Sequence, residues 1–200
     1  MDIPKTIIEI QPAKKYPRKL NIVPTNIDEV LVIEPDVFED ERGFFMETFR
    51  EQWLRERDIE IRFVQDNLSY SQKNTLRGLH YQIEQPQAKL VRVPRGKILD
   101  VAVDLRQGSS TFGEVASAMI SGENKKQMYI PVGFAHGFAV LSDNAYVEYK
   151  CSDYYHPEGE RGVYWDDPEL DITWDVEDPI ISEKDQHLPY LKDVQEKDLF

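Results

Sequence analysis

The sequence predicts an all-β domain, a sandwich or barrel of short strands with a few short helices. Three observations carry this. Short apolar, β-branched runs recur at regular intervals along the 200 residues. Gly, Pro, Asn and Asp punctuate them as turn signals. Only one stretch, Glu51 to Arg57, has a helical pattern of any quality. Together these describe strand-turn-strand architecture with little helix. A chain of this length forms one domain and buries enough surface to need no staple.

Residues 1–29 read as an arm or edge extension. They hold a β-prone run (Ile7, Ile8, Ile10) and a basic patch (Lys14, Lys15, Arg18, Lys19) broken by Pro12, Pro17 and Pro24. The domain proper is expected over 30–200. Val30 to Ile33 form its first strand, and Gly43, after a charged turn and before aromatics, marks a hairpin. Ile61 to Leu68 is β-like and ends in Gln65-Asp66-Asn67. Thr75 to Val93 contains two apolar runs joined by Glu84-Gln85-Pro86-Gln87, which reads as a hairpin. Lys97 to Leu105, Glu114 to Ile120, Gln127 to Ile130, Ala139 to Leu141 and Ala145 to Cys151 continue the strand series. After Trp165 the chain is Asp- and Pro-rich, and its tail is expected to be helical in part.

The net charge of -13 argues against nucleic-acid binding, because phosphate backbones need local Lys and Arg. An anionic ligand would need its cations gathered in one pocket. The single cysteine, Cys151, permits no intrachain disulfide and no multi-Cys metal site. No apolar run approaches the roughly 18 residues of a membrane span, and the first residues lack a signal-peptide core. The expected setting is the cytoplasm.

The richest stretch is Arg77-Gly78-Leu79-His80-Tyr81-Gln82 with Lys89 nine residues beyond His80. An imidazole flanked by two cations suits acid–base work on an anion. Strict alternation sets Arg77 and His80 on opposite faces. A bulge at Gly78 would bring them together. Along Ala145 to Cys151, alternation puts Tyr149 inward with Ala145, Val147 and Cys151. A buried phenol must find a partner, in the core or in a cavity. His80 and His136 lie beside glycine in β-rich segments, whereas His156 and His187 lie in polar loops. Two histidines with no His-x-His pair and no placed carboxylate make a poor metal site, so no metal is expected. There is also no glycine-rich dinucleotide loop.

From about Val30 to Asp185 the sequence resembles the dTDP-4-dehydrorhamnose 3,5-epimerase family. Eight motifs in order carry the resemblance: Phe38-x-Asp40-Glu41-Arg42-Gly43-Phe44-Phe45, Phe63-Val64-Gln65-Asp66-Asn67, the Arg77 to Gln82 run, Lys89-Leu90-Val91-Arg92, Asp100-Val101-Ala102-Val103-Asp104, Pro131-x-Gly133-Phe134-Ala135-His136-Gly137-Phe138, Tyr149-Lys150 with Tyr154-Tyr155, and Ser182-Glu183-Lys184-Asp185. The resemblance implies a cupin-like jelly roll, a homodimer and a cofactor-independent enzyme of nucleotide-sugar synthesis. Its substrate would be a dTDP-4-keto-6-deoxy sugar. His80 would be the catalytic base, Asp185 the carboxylate that orients it, Tyr149 the acid on the opposite face, and Lys89 the cation near the C4 oxygen. Arg42, Glu47, Gln65, Asp66, Asn67, Arg77, His136, Glu160 and Lys184 would contact substrate, and Tyr155 would stack on the thymine ring. The chemistry agrees with these residue types. Hydrogens at C3 and C5 are acidic because the carbanion spreads onto the C4 oxygen, so inversion needs a base, an opposed acid and a positive group at the oxyanion. Epimerisation at C3 alone or C5 alone, a non-catalytic nucleotide-sugar binder and a metal-dependent cupin are the alternatives.

Overall fold

The structure, a computed structural model, describes residues 20–200. The β-prone and basic parts of the expected arm, residues 1–19, lie outside them. In chain order the elements are β1 (Asn21–Pro24), β2 (Leu31–Glu34), β3 (Val37–Asp40), β4 (Gly43–Met46), α1 (Glu51–Arg55), β5 (Gln65–Gln72), β6 (Leu76–Gln82) and β7 (Lys89–Arg95). Then come β8 (Lys97–Asp104), β9 (Val115–Ser121), β10 (Gln127–Ile130), β11 (Phe134–Val140), β12 (Asn144–Cys151) and β13 (Glu160–Gly162). The tail adds single 3-10 turns, among them Asp185–His187 and Leu191–Asp193.

Two antiparallel sheets face each other as a cupin-like jelly roll. The six-stranded sheet runs β1-β2-β10-β7-β12-β5 and the five-stranded sheet β13-β6-β11-β8-β9. Alternation along each strand divides the apolar side chains into layers. Val91, Val93, Ala102, Ile120, Met128, Phe134, Phe138 and Val147 fill the space between the sheets. Leu79, Tyr81, Val101, Val103 and Ala135 face the other way, under Trp174 and Leu191 of the tail. On the outer face of the larger sheet, Trp53 and Leu54 of α1 cover Leu31, Ile33, Leu90 and Tyr129. A helix of five residues cannot persist alone. This packing holds it, at roughly 1.5–3 kcal/mol for each large side chain buried.

Four details differ from the sequence expectation. Among the described residues regular structure starts at Asn21, before the expected Val30, because Ile22 is apolar and β1 pairs with β2 from Asn21↔Glu34 to Pro24↔Leu31. β5 runs Gln65–Gln72, later than the β-like stretch at Ile61, whose Ile61 and Phe63 pack on the outer apolar cluster instead. β11 already begins at Phe134, so His136 lies in a strand. Most consequentially, β6 and β7 are not a hairpin. β6 pairs with β11 and β13, whereas β7 pairs with β10 and β12 in the opposite sheet. The 83–88 connection crosses from one sheet to the other. His80 and Lys89 therefore face each other from opposite walls.

The expected bulge at Gly78 is present. β6 and β11 pair at His136↔His80 and again at Phe138↔Arg77, which leaves one extra residue on β6. Gly78 has φ +122°, and a Cβ there would sit 2.5 Å from Gly137 Cα. Only glycine fits both the conformation and the contact. The extra residue turns Arg77 and His80 to the same side.

Candidate active site

His80 projects from β6 into the space between the sheets. Its Nε2 lies 2.6 Å from Asp185 Oδ1, with the side chains 27% and 3% exposed. Asp185 comes from the tail, where its own N–H donates to Ser182 Oγ at 3.2 Å. Its Oδ2 accepts the Gly78 N–H at 3.3 Å. Burial alone would raise the Asp185 pKa. The hydrogen bond and charge of His80, with the Gly78 and Ser182 bonds, outweigh it and hold the carboxyl below its ordinary value. An anionic Asp185 favours the tautomer with Nε2–H donated to it, leaving Nδ1 as the basic atom.

The opposite wall supplies Tyr149 from β12 and Lys89 from β7. Burial pushes the Tyr149 hydroxyl above the ordinary tyrosine value, with Arg77 opposing. Its ring stands edge-on to His136, with centroids 6.4 Å apart. Lys89 is half-buried, paired in register with Cys151. Burial lowers its pKa, opposed by Cys151 and Asp100.

Two cavities meet at His80. One, of about 240 Å³, is lined by Gln65, Asn67, Lys89, Tyr149, Tyr155 and Glu160 among others. The other, of about 450 Å³, includes Arg77, Lys184 and Asp185. Arg77 Nε donates to Ser71 Oγ at 3.0 Å, and Lys184 Nζ lies 2.6 Å from Glu160 Oε1. Tyr155 donates its hydroxyl to Glu160 Oε2 at 2.9 Å. Thus His80, Asp185, Tyr149, Lys89, Gln65, Asn67, Arg77, Tyr155, Glu160 and Lys184 are brought together. His136 lies behind them, buried between the sheets.

Three expected substrate contacts are not in these cavities. Asp66 alternates with Gln65 and Asn67, so β5 turns it to the outer face, where it pairs with Lys150 at 2.9 Å. Arg42 sits at the tip of the β3–β4 hairpin, 83% exposed and paired with Asp40. Glu47 follows the hairpin and pairs with Arg50.

One buried charged partner escaped the sequence reading. Asp100, fully buried in β8, lies with Oδ1 2.7 Å from His136 Nε2. Burial lowers the His136 pKa and Asp100 opposes this. The signal was available: a carboxylate inside the apolar run from Ile98 to Val103 needs a partner. Among the described residues, no group of three His, Cys, Asp or Glu is placed to hold a metal ion. No helix there is long and apolar enough to cross a membrane.

Comparison with known proteins shows the family. Residues 24–193 match a family model described as dTDP-4-dehydrorhamnose 3,5-epimerase. The chain is 52% identical over 178 residues to an enzyme of that name from Methanothermobacter thermautotrophicus, covering 88% of this chain and 96% of the relative. Its fold resembles a dTDP-6-deoxy-D-glucose-3,5-epimerase from Legionella pneumophila, solved with dTDP-4-keto-L-rhamnose. The TM-score is 0.88 at 50% identity, covering 90% of this chain and 97% of the other. It also resembles a 3'-monoepimerase variant from Streptomyces bikiniensis solved with dTDP, with TM-score 0.79 at 35% identity over 84% of this chain and 86% of that one.

Proposed function

Because the chain belongs to the dTDP-4-dehydrorhamnose 3,5-epimerase family, we propose that it inverts C3 and C5 of dTDP-4-dehydro-6-deoxy-D-glucose. The product is dTDP-4-dehydro-L-rhamnose, on the route to dTDP-rhamnose. One observation carries the assignment of roles. The His80–Asp185 pair stands on the five-stranded wall and Tyr149 on the six-stranded wall, so a sugar ring between them meets a base on one face and an acid on the other.

In each inversion, Nδ1 of His80 takes the proton from the carbon beside the ketone. The C–H electron pair moves onto the C4 oxygen as an enolate. The Lys89 ammonium stabilises that oxyanion in a partly dry site. The pair then returns to carbon, which takes a proton from the Tyr149 hydroxyl on the opposite face. Solvent restores His80 and Tyr149 to their starting forms. Asp185 stabilises the imidazolium formed in between. Arg77 and Lys184 supply cations for the diphosphate, and Tyr155 offers its exposed ring to the thymine.

Proton NMR of the product tests this, since the ring couplings report each configuration. Inverted couplings at both carbons are expected. Unchanged couplings would refute epimerisation. Inversion at one carbon would favour the second reading, a single-carbon epimerase, which rests on the likeness to the Streptomyces 3'-monoepimerase.

The two pKa directions on the six-stranded wall give a pH signature. Lys89 is lowered, so its charge is lost before the ordinary lysine value of about 10.4 as pH rises. Tyr149 is raised, so it keeps its proton past the ordinary value of about 10. The alkaline fall of kcat/KM therefore belongs to Lys89 and sets in before the ordinary lysine range. In Lys89→Arg, the residual activity should persist to higher pH. An unmoved alkaline limb would remove Lys89 from the oxyanion role.

We further propose a homodimer. α1 covers only part of the larger sheet's outer face, and Leu68, Tyr70 and Tyr146 are exposed beyond it at 62%, 51% and 37%. Phe44 and Phe45 of the hairpin are also exposed. A second copy seated there would bury these side chains, and its hairpin would bring Arg42 and Glu47 toward a site that its own chain does not reach. Sedimentation should show a dimer for the parent and a monomer for Leu68→Glu/Tyr146→Glu. A monomeric parent would refute the proposal. The buried Cys151 thiol fits a cytoplasmic setting.

A further inference from the structure

We infer that Gln82 is a positioning residue: it sets affinity for the nucleotide half of the substrate by holding Tyr155 in place. This rests on the reading of Tyr155 as the surface that stacks on the base. Tyr155 is 54% exposed, so packing does not fix its ring. Its place is set by the backbone on either side and by its hydroxyl. Gln82 grips both flanks. Its Nε2 donates to Tyr154 O at 3.2 Å, and its Oε1 accepts the His156 N–H at 2.9 Å. Nε2 also donates to Gln85 O at 2.8 Å, which ties the crossing loop to the same point. Between the two gripped residues, the Tyr155 N–H donates to Gln65 Oε1 at 3.0 Å.

The far end of the ring is fixed from the same place. Glu160, which accepts the Tyr155 hydroxyl, is the direct cross-strand partner of Gln82 in the β13–β6 pairing. Gln82 itself is 4% exposed, on the inner face of β6. A buried carboxamide on a central strand thus anchors an exposed aromatic through three main-chain bonds. Without it, Tyr154 O, Gln85 O and His156 N would turn to water, and the loop would have to be ordered again at each binding event. Gln82 has no titratable atom and makes no hydrogen bond to His80, Tyr149, Lys89 or Asp185. Its loss should act on binding more than on proton transfer.

The test is a double-mutant comparison using dTDP as the probe in calorimetry, with turnover measured alongside. Gln82→Met, similar in shape, should raise the dTDP Kd and the KM by roughly tenfold, the scale of losing one base–aromatic stack. kcat should change far less than KM. Gln82→Glu keeps the bond from His156 but loses both donations, and should show a smaller rise. Tyr155→Ala should also weaken dTDP, and Gln82→Met/Tyr155→Ala should bind no worse than Tyr155→Ala alone. If both Gln82 variants bind dTDP like the parent while Tyr155→Ala is weakened, or if the two effects add, the inference is overturned and the stacking reading stands. If Tyr155→Ala binds dTDP normally, the stacking reading falls, and the inference with it.

Discussion

His80→Ala should lose solvent exchange at both C3 and C5, with turnover reduced on the order of 10³- to 10⁴-fold. The argument is structural. Among the described residues, His80 is the one titratable side chain that borders both cavities and has a carboxylate beside it, 2.6 Å away on Asp185. Serving both carbons from one imidazole requires the ring of the substrate to present C3 and C5 in turn to the same wall. Loss of the base should therefore not spare one carbon. KM should change little, since the nucleotide contacts proposed for Arg77, Lys184 and Tyr155 are left in place. Asp185→Asn should approach the same loss with the imidazole retained, because a carboxamide no longer enforces the tautomer or steadies the imidazolium. Deuterium entry followed by NMR is the measurement. Near-normal exchange in His80→Ala would remove His80 from the base role.

Tyr149→Phe should separate exchange from inversion. The ring keeps its packing against His136, 6.4 Å between centroids, so the fold and the cavity are preserved. Only the hydroxyl is lost, and with it the proton donor proposed for the six-stranded wall. Turnover should fall by roughly 10²-fold or more, with KM within a few-fold, the pattern of a group used in the transition state. His80 can still remove a proton and, being partly open to water, return a deuteron to the same face. Substrate recovered from D2O should then be labelled without being inverted. If labelling and inversion fall together by the same factor, Tyr149 contributes to enolate formation rather than to reprotonation.

Much of this site was legible in the sequence. Alternation along Ala145 to Cys151 turned Tyr149 inward correctly, and Gly78 announced a bulge that the β6–β11 register contains. The family resemblance supplied Asp185, which lies 105 positions from His80 and which no local pattern could pair with it. What stayed hidden was sheet membership. Periodicity tells which face of a strand is buried but not which sheet the strand joins, so the Thr75 to Val93 stretch read as a hairpin. The crossing is what sets Lys89 opposite His80 and gives the cavity two chemically distinct walls. Asp66 shows the converse. Its neighbours Gln65 and Asn67 face the cavity, and the same alternation that puts them there sends Asp66 to solvent with Lys150. Arg42 at the tip of the β3–β4 hairpin and Glu47 just after it lie outside both cavities of their own chain, where they pair with Asp40 and Arg50.

The most direct measurement is deuterium incorporation by the parent protein acting on dTDP-4-dehydro-6-deoxy-D-glucose in D2O. The two-walled site predicts label at both C3 and C5 of the product. An absence of label at either carbon above the uncatalysed background would contradict it.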